Sequence, residues 1–179
     1  MANRSWREWM TDGDQLRRLK LLEKVPLFAG LSRRQLGKLL VKLFEREYGA
    51  GEAIFSEGEP GKALFIVLKG NVSISHAADG VEKPLAMLGP GAYFGELALI
   101  DDQPRFATAR ADEDSVLLIF YRSHFDDLIE GHKTLAIRVM GNLLRALAGY
   151  VRGARPGSPK TGAVPSTEPN AMPGEKDRR

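Results

Sequence analysis

The stretch Leu64-Phe65-Ile66-Val67-Leu68-Lys69-Gly70-Asn71-Val72-Ser73-Ile74-Ser75 decides the fold. A short, continuous apolar run meets a Lys-Gly-Asn turn. A second run then alternates apolar and hydroxyl side chains. The first run is too short for a helix and rich in strand formers; the second carries the two-residue period of a half-buried strand. Working outward, Ala53-Ile54-Phe55, Leu85-Ala86-Met87-Leu88 and Val116-Leu117-Leu118-Ile119-Phe120 read as further strands. Gly58-Glu59-Pro60-Gly61, Asp79-Gly80 and Gly89-Pro90-Gly91 read as the turns between them. Nine of the 19 glycines lie between Tyr48 and Phe120, mostly between the apolar segments. Short strands with frequent turns predict a sandwich or small barrel, a mainly β domain with flanking helices.

The flanks carry the helical period. From Met1 to about Glu47 the chain reads as helical. Ser5 and Glu8 have capping-box spacing, and Trp6, Trp9 and Met10 share one face, which packs on the domain or meets a partner. Leu16, Leu19, Leu22 and Val25 follow at every third residue up to Pro26. Ser32 is placed to cap a helix whose buried side is Leu36, Leu39, Leu40, Leu43 and Phe44. Beyond the strands, Ser123 is placed to cap a turn carrying Phe125, Leu128 and Ile129, and a longer helix is expected from about His132. Ala136, Met140, Leu143, Leu147 and Tyr150 on it have coiled-coil spacing, widened by Leu135, Val139 and Leu144. That stripe serves the helix's own barrel, a second copy of the chain, or both. Residues 153–179 hold five of the ten prolines and only Val164 and Met172 as large apolar residues, and are expected to be disordered. The expected division is an extension at 1–15, a domain at 16–152 and a tail at 153–179.

Composition removes several classes of function. A chain of 179 residues fits one domain with short extensions. With no cysteine there are no disulfides and no thiolate metal sites. The formal charge of +3 is too small to argue for nucleic acid. The longest apolar runs, Ala63–Leu68 and Val116–Tyr121, fall far short of a membrane span, and the N-terminus lacks a secretory pattern, so a cytoplasmic protein with no membrane partner is expected. A metal-dependent jelly-roll enzyme needs clustered imidazoles, whereas His76, His124 and His132 are scattered and read as surface or structural. Asp101-Asp102 reads as an exposed turn, since hard cations need more oxygen ligands. No nucleophile–base set is identifiable, so neither an enzyme nor a cofactor is expected.

One segment carries chemistry: Phe94-Gly95-Glu96-Leu97-Ala98-Leu99-Ile100-Asp101-Asp102-Gln103-Pro104-Arg105-Phe106-Ala107-Thr108-Ala109-Arg110-Ala111. Gly95 permits a sharp turn, and Glu96 to Ile100 fit one helical turn with free N–H groups at its start. Arg105 offers a planar fork suited to phosphate, and Ala107 lets backbone amides come close. Glu96 only accepts hydrogen bonds and suits a sugar hydroxyl. The two charges, if close, are expected to pair and hold the loop in shape. Each element alone is also an ordinary turn or surface charge.

Together, Phe94 to Leu99 and Pro104 to Thr108 resemble the phosphate-binding cassette of the cyclic-nucleotide-binding domain family, which includes catabolite activators, regulatory subunits of cyclic-AMP-dependent kinase and channel sensor domains. Gly51 to Ile54, Glu57 to Gly61, Phe65 to Gly70 and Leu27 to Ser32 are similar to the family's earlier segments, so the resemblance covers roughly Leu16 to Tyr150. It implies a β jelly-roll (double-stranded β-helix) with N-terminal helices and a C-terminal lid helix. It places the ligand on Phe94, Gly95, Glu96, Leu97, Ala98, Arg105, Phe106, Ala107 and Thr108. Glu96 would take the ribose 2′-hydroxyl and Arg105 the cyclic phosphate, with Leu147 or Tyr150 as lid. Phe106 departs from the family pattern: small residues stand there in cyclic-AMP sensors, and Thr or Ser accompanies cyclic GMP. A ring without a hydroxyl favours cAMP over cGMP, and it can stack on the base, fill part of the pocket or turn outward. The expected function is a stand-alone sensor that signals by lid movement or dimerisation through 132–152, with an unknown protein partner. Direct DNA binding is not expected, because no helix-turn-helix follows the lid. The alternatives are an interaction module that keeps the fold without a ligand, and a cradle for a different anion.

Overall fold

Strands β3 (Ala63–Lys69) and β8 (Ser115–Tyr121) are apolar at successive positions because both their faces are covered. A computed structural model describes residues 12–78 and 81–151. Helix α1 (Asp12–Leu22), a 3-10 turn at Pro26–Phe28 and α2 (Arg33–Leu40) precede β1 (Phe44–Tyr48), β2 (Ala53–Phe55) and β3. Then come β4 (Val72–Ala78), β5 (Val81–Leu88), β6 (Tyr93–Phe94), a 3-10 turn at Glu96–Leu99, β7 (Thr108–Ala111) and β8. Helices α3 (Arg122–Gly131) and α4 (Lys133–Val151) close the described chain.

The strands form two antiparallel four-stranded sheets, ordered β1-β8-β3-β6 and β2-β7-β4-β5. Phe65, Val67, Leu117 and Ile119 point between the sheets, against Val72, Ile74, Ala109 and Ala111 of the second. Leu64, Ile66, Leu118 and Phe120, one residue out of phase, face the helices and meet Leu36, Leu39, Phe125, Leu128, Leu135 and Val139. The two-residue period of a strand thus feeds two cores from one run. Among the described residues no strand pairing joins the two sheets, so the jelly-roll is a two-sheet roll rather than a barrel closed by hydrogen bonds.

Ser32 caps α2 as expected, in a full capping box with Gln35. Two local expectations need correction. Phe44 does not continue the helix: Phe44–Tyr48 is strand β1, paired to β8 from Phe44↔Ile119 to Tyr48↔Ser115. Its charged Glu45-Arg46-Glu47 centre hides the strand in sequence, and pairing supplies the order that its own pattern lacks. Ser123 does not cap α3; Tyr121 holds the N-cap position without a side-chain bond, and Ser123 lies inside the helix. The α4 stripe divides between the readings left open for it. Ala136 and Leu143 are buried in the chain's own core, while Ile137, Met140 and Leu144 are exposed. Helix α1 spans both sides of the 15/16 division. The Ser5/Glu8 cap, the Trp6–Trp9 face, the Asp79-Gly80 turn and the 153–179 tail lie outside the described residues.

Helix α4 docks on the N-terminal segment through Asn142. Its Nδ2 donates to the carbonyls of Leu27 at 2.9 Å and Ala29 at 3.0 Å, at the end of the first 3-10 turn.

Candidate functional site

The 94–111 segment is less of a loop than its sequence implies. Phe94 ends strand β6, Thr108–Ala111 is strand β7, and only the stretch between them is irregular. Gly95 caps the 3-10 turn Glu96–Leu99 at φ 73°, a left-handed conformation that favours glycine. Its tightness has a cause: a Cβ at Gly95 would stand 2.7 Å from Arg105 Nη1 and 3.2 Å from the Ala63 carbonyl oxygen.

Arg105 is the centre of the site. Nη1 donates to the Gly95 carbonyl at 3.1 Å and Nη2 to the Ala63 carbonyl at 2.8 Å. The guanidinium carbon sits 4.1 Å from the centroid of the Phe55 ring, a cation–π floor. The backbone of Arg105 is gripped from the 58–59 turn: Gly58 N–H donates to its carbonyl and its N–H donates to Glu59. Burial pushes the Arg105 guanidinium down from its ordinary value, and Glu59 and Glu96 push back. It remains charged. The expected Arg105–Glu96 ion pair does not form; Nη1 and Nη2 each donate to a backbone carbonyl instead. Its Nε is buried and without a protein acceptor. A buried donor on a cation, in a cradle that excludes a Cβ at Gly95, fits an anionic oxygen.

Glu96 is buried, at 6 % exposure, and accepts the Tyr150 hydroxyl of α4 at 2.5 Å. Of the two lid residues named from sequence, Tyr150 therefore reaches the cassette across 54 residues of chain, and Leu147 is half-buried behind it. Ala98 and Ala107 are buried in the cassette walls, and Leu97 is half-buried. The Thr108 hydroxyl accepts the Glu57 N–H at 3.0 Å. Phe106 is 61 % exposed, so its ring turns outward rather than filling the cradle. Phe55, Ala63, Glu59 and Tyr93 belong to the site and carried no signal; two of them contribute backbone carbonyls, which any residue owns.

Tyr93, before the cassette, is buried with no partner for its hydroxyl. Burial, and secondly the charge of Glu96, push that hydroxyl up to about 12. The unfolded chain ionises near 10, so stability is intact below that pH and is lost as pH rises toward about 12. Tyr93→Phe is expected to be as stable as the parent at pH 7, or more so by about 1 kcal/mol, since it removes an unsatisfied buried group. Between pH 8 and pH 11 the parent is expected to lose about 1 kcal/mol more than the variant, read by urea unfolding.

The two-sheet jelly-roll thus sets the buried Arg105 cradle at the start of a 3-10 turn, and the Tyr150–Glu96 bond ties that turn to the C-terminal helix. The chain belongs to the cyclic nucleotide-binding domain family, whose model matches residues 45–132. It is 37 % identical over 123 residues to the cyclic AMP receptor protein of Thermus thermophilus, covering 68 % of this chain and 57 % of that one. It superposes on the N-terminal domain of a transcriptional regulator from Streptomyces coelicolor with TM-score 0.68 and 30 % identity, covering 74 % of this chain and 94 % of that one. The regulatory domain of Toxoplasma gondii PKA, solved with cAMP, matches at TM-score 0.62 and 30 % identity, covering 66 % of this chain and 45 % of that one. The chain thus spans little more than half of the Thermus relative and less than half of the Toxoplasma one. No helix among the described residues is long and apolar enough to cross a membrane.

Proposed function

We propose that residues 16–152 form a cytoplasmic, non-catalytic sensor that binds a cyclic nucleotide, cAMP in preference to cGMP, between the 94–108 cassette and the lid helix α4. The observation that carries this reading is Arg105, held flat on Phe55 by two carbonyls with a buried Nε left over. The phosphate meets Arg105 and the amides around Gly95, Leu97 and Ala107, and the ribose hydroxyl meets Glu96. The outward Phe106 ring supports an open cradle over the ligand-free alternative, and its lack of a hydroxyl supports adenine over guanine. Tyr150 on Glu96 connects the ligand's place to α4, so ligand arrival is expected to reset the lid. Calorimetry with cAMP and cGMP tests this reading. Binding of cAMP several-fold tighter than cGMP is expected; no heat with either at millimolar ligand overturns it.

The signal's exit is α4 itself. Ile137, Met140 and Leu144 are exposed at 3-4 spacing, with Leu147 half-buried next in the row. This row would serve as the heptad seam of a homodimer; Met140, Leu144 and Leu147 belong to the stripe read in sequence, and Ile137 extends it. Leu144→Glu is expected to leave the fold intact and shift the chain from dimer to monomer in sedimentation velocity.

A further inference from the structure

His76 lies on β4, outside the family's cassette pattern, yet it is bonded to the cassette. Its Nδ1 is 3.0 Å from the Phe106 carbonyl oxygen and 3.1 Å from Glu57 Oε2. Both neighbours only accept, so Nδ1 carries the proton in every charge state of the ring. Glu57 is itself fixed: Oε2 accepts the Ala77 N–H at 2.8 Å, and the Glu57 N–H donates to Thr108 Oγ1 at 3.0 Å. The descending limb of the cassette is therefore gripped at three of its four residues from Arg105 to Thr108. Arg105 is held by the 58–59 turn, Phe106 by His76 and Thr108 by Glu57. Phe106 precedes β7, so its carbonyl lies outside the ladder that pairs β7 to β4. The His76 side chain supplies that bond instead.

We propose that His76 is a positioning residue for the ligand, a proton-sensitive clamp that ties the β4–β5 hairpin to the cassette backbone between Arg105 and Ala107. The inference rests on the cyclic-nucleotide reading above. Protonation turns the contact with Glu57 into an ion pair and strengthens the donor to Phe106. The other charges facing the ring come from β5, where Lys83 pairs opposite His76 and Glu82 accepts the Ser75 hydroxyl; β7 presents the uncharged Thr108 at this level. His76 and Glu57 side chains are 44 % and 30 % exposed, so solvent screens the pair and the effect is modest. A cyclic phosphodiester keeps one negative charge across the pH range used, so the ligand adds no titration of its own. By linkage, affinity rises on protonation as far as the nucleotide-bound cassette draws the Phe106 carbonyl and Glu57 closer to the ring than the free one does.

The test is calorimetry of the parent, His76→Ala and His76→Asn with cyclic AMP from pH 5.5 to pH 8. The parent is expected to bind about threefold tighter at pH 5.5 than at pH 8. His76→Ala is expected to bind about fivefold weaker with a flat profile. His76→Asn, whose amide nitrogen stands near the place of Nδ1, is expected to recover most of the affinity while staying flat. Parent-like affinity in the alanine variant, or a parent-like pH profile in the asparagine variant, overturns the clamp. If the parent itself binds no nucleotide, the function proposed above fails, and the clamp is then judged without ligand. Long-range nitrogen–proton spectra must show the proton on Nδ1, and His76→Ala must speed hydrogen exchange at the amides of 106–108. A proton on Nε2, or unchanged exchange, overturns it.

Discussion

Arg105→Ala is expected to abolish measurable cyclic-nucleotide binding, with a loss of at least about 100-fold. A charge-assisted hydrogen bond to a buried ion accounts for roughly a factor of 10 to 150, and the guanidinium also shapes the cradle it serves. The same variant frees the carbonyls of Gly95 and Ala63 and removes the cation stacked on Phe55. A stability loss of about 2 kcal/mol or more is therefore expected alongside. Lost binding must be separated from lost folding, and Arg105→Lys does so. Lysine keeps the charge and much of the stem, but has no planar fork to span two carbonyls while presenting a third donor. It is expected to stay folded by circular dichroism and to bind at least about tenfold more weakly than the parent. Parent-like affinity in Arg105→Lys would mean that charge alone suffices and that the planar clamp is not part of the site.

What could be read in advance follows from where each pattern is written. Leu64–Leu68 announced itself because both its faces are buried, so no polar residue interrupts it. Phe44–Tyr48 did not, because an edge strand with four of five residues exposed has no apolar period and takes its order from β8, some 70 residues later. Glu96 and Arg105 stood out by their side-chain chemistry and by the resemblance of their segment to a known cassette. Their partners did not: the Ala63 carbonyl lies 42 residues from Arg105, and the Tyr150 hydroxyl lies 54 from Glu96. A backbone carbonyl leaves no trace in a sequence. For a related reason the α4 stripe left open which of its members dock: Ala136 and Leu143 lie in the chain's own core, while Met140 and Leu144 are exposed. A helix with apolar residues around most of its girth does not say which side docks. Here the docked side carries Leu135, Ala136, Val139, Leu143 and Ala146, and Asn142 bonds the Leu27 and Ala29 carbonyls. The outward turn of Phe106 was one of three orientations that sequence left open.

Gly95→Ala separates backbone strain from site geometry, and Gly51→Ala is its control. Both glycines have positive φ, 73° and 81°. An alanine in that region costs about 1–2 kcal/mol wherever it stands. At Gly51 nothing lies within 4 Å of the new methyl, so strain is the whole effect. Gly51→Ala is expected to lower stability by about 1 kcal/mol and leave ligand affinity unchanged. At Gly95 the methyl meets Arg105 Nη1 at 2.7 Å and the Ala63 carbonyl at 3.2 Å, so the guanidinium must give way. Moving it costs its bonds to the Gly95 and Ala63 carbonyls and its place 4.1 Å from the Phe55 ring centroid. Gly95→Ala is therefore expected to cost about 2–3 kcal/mol in urea unfolding and to weaken cyclic-AMP binding at least about tenfold. Equal affinity in the two variants would show that the site tolerates a displaced Arg105. The phosphate would then be held by the backbone amides of the turn, with the arginine serving the fold alone.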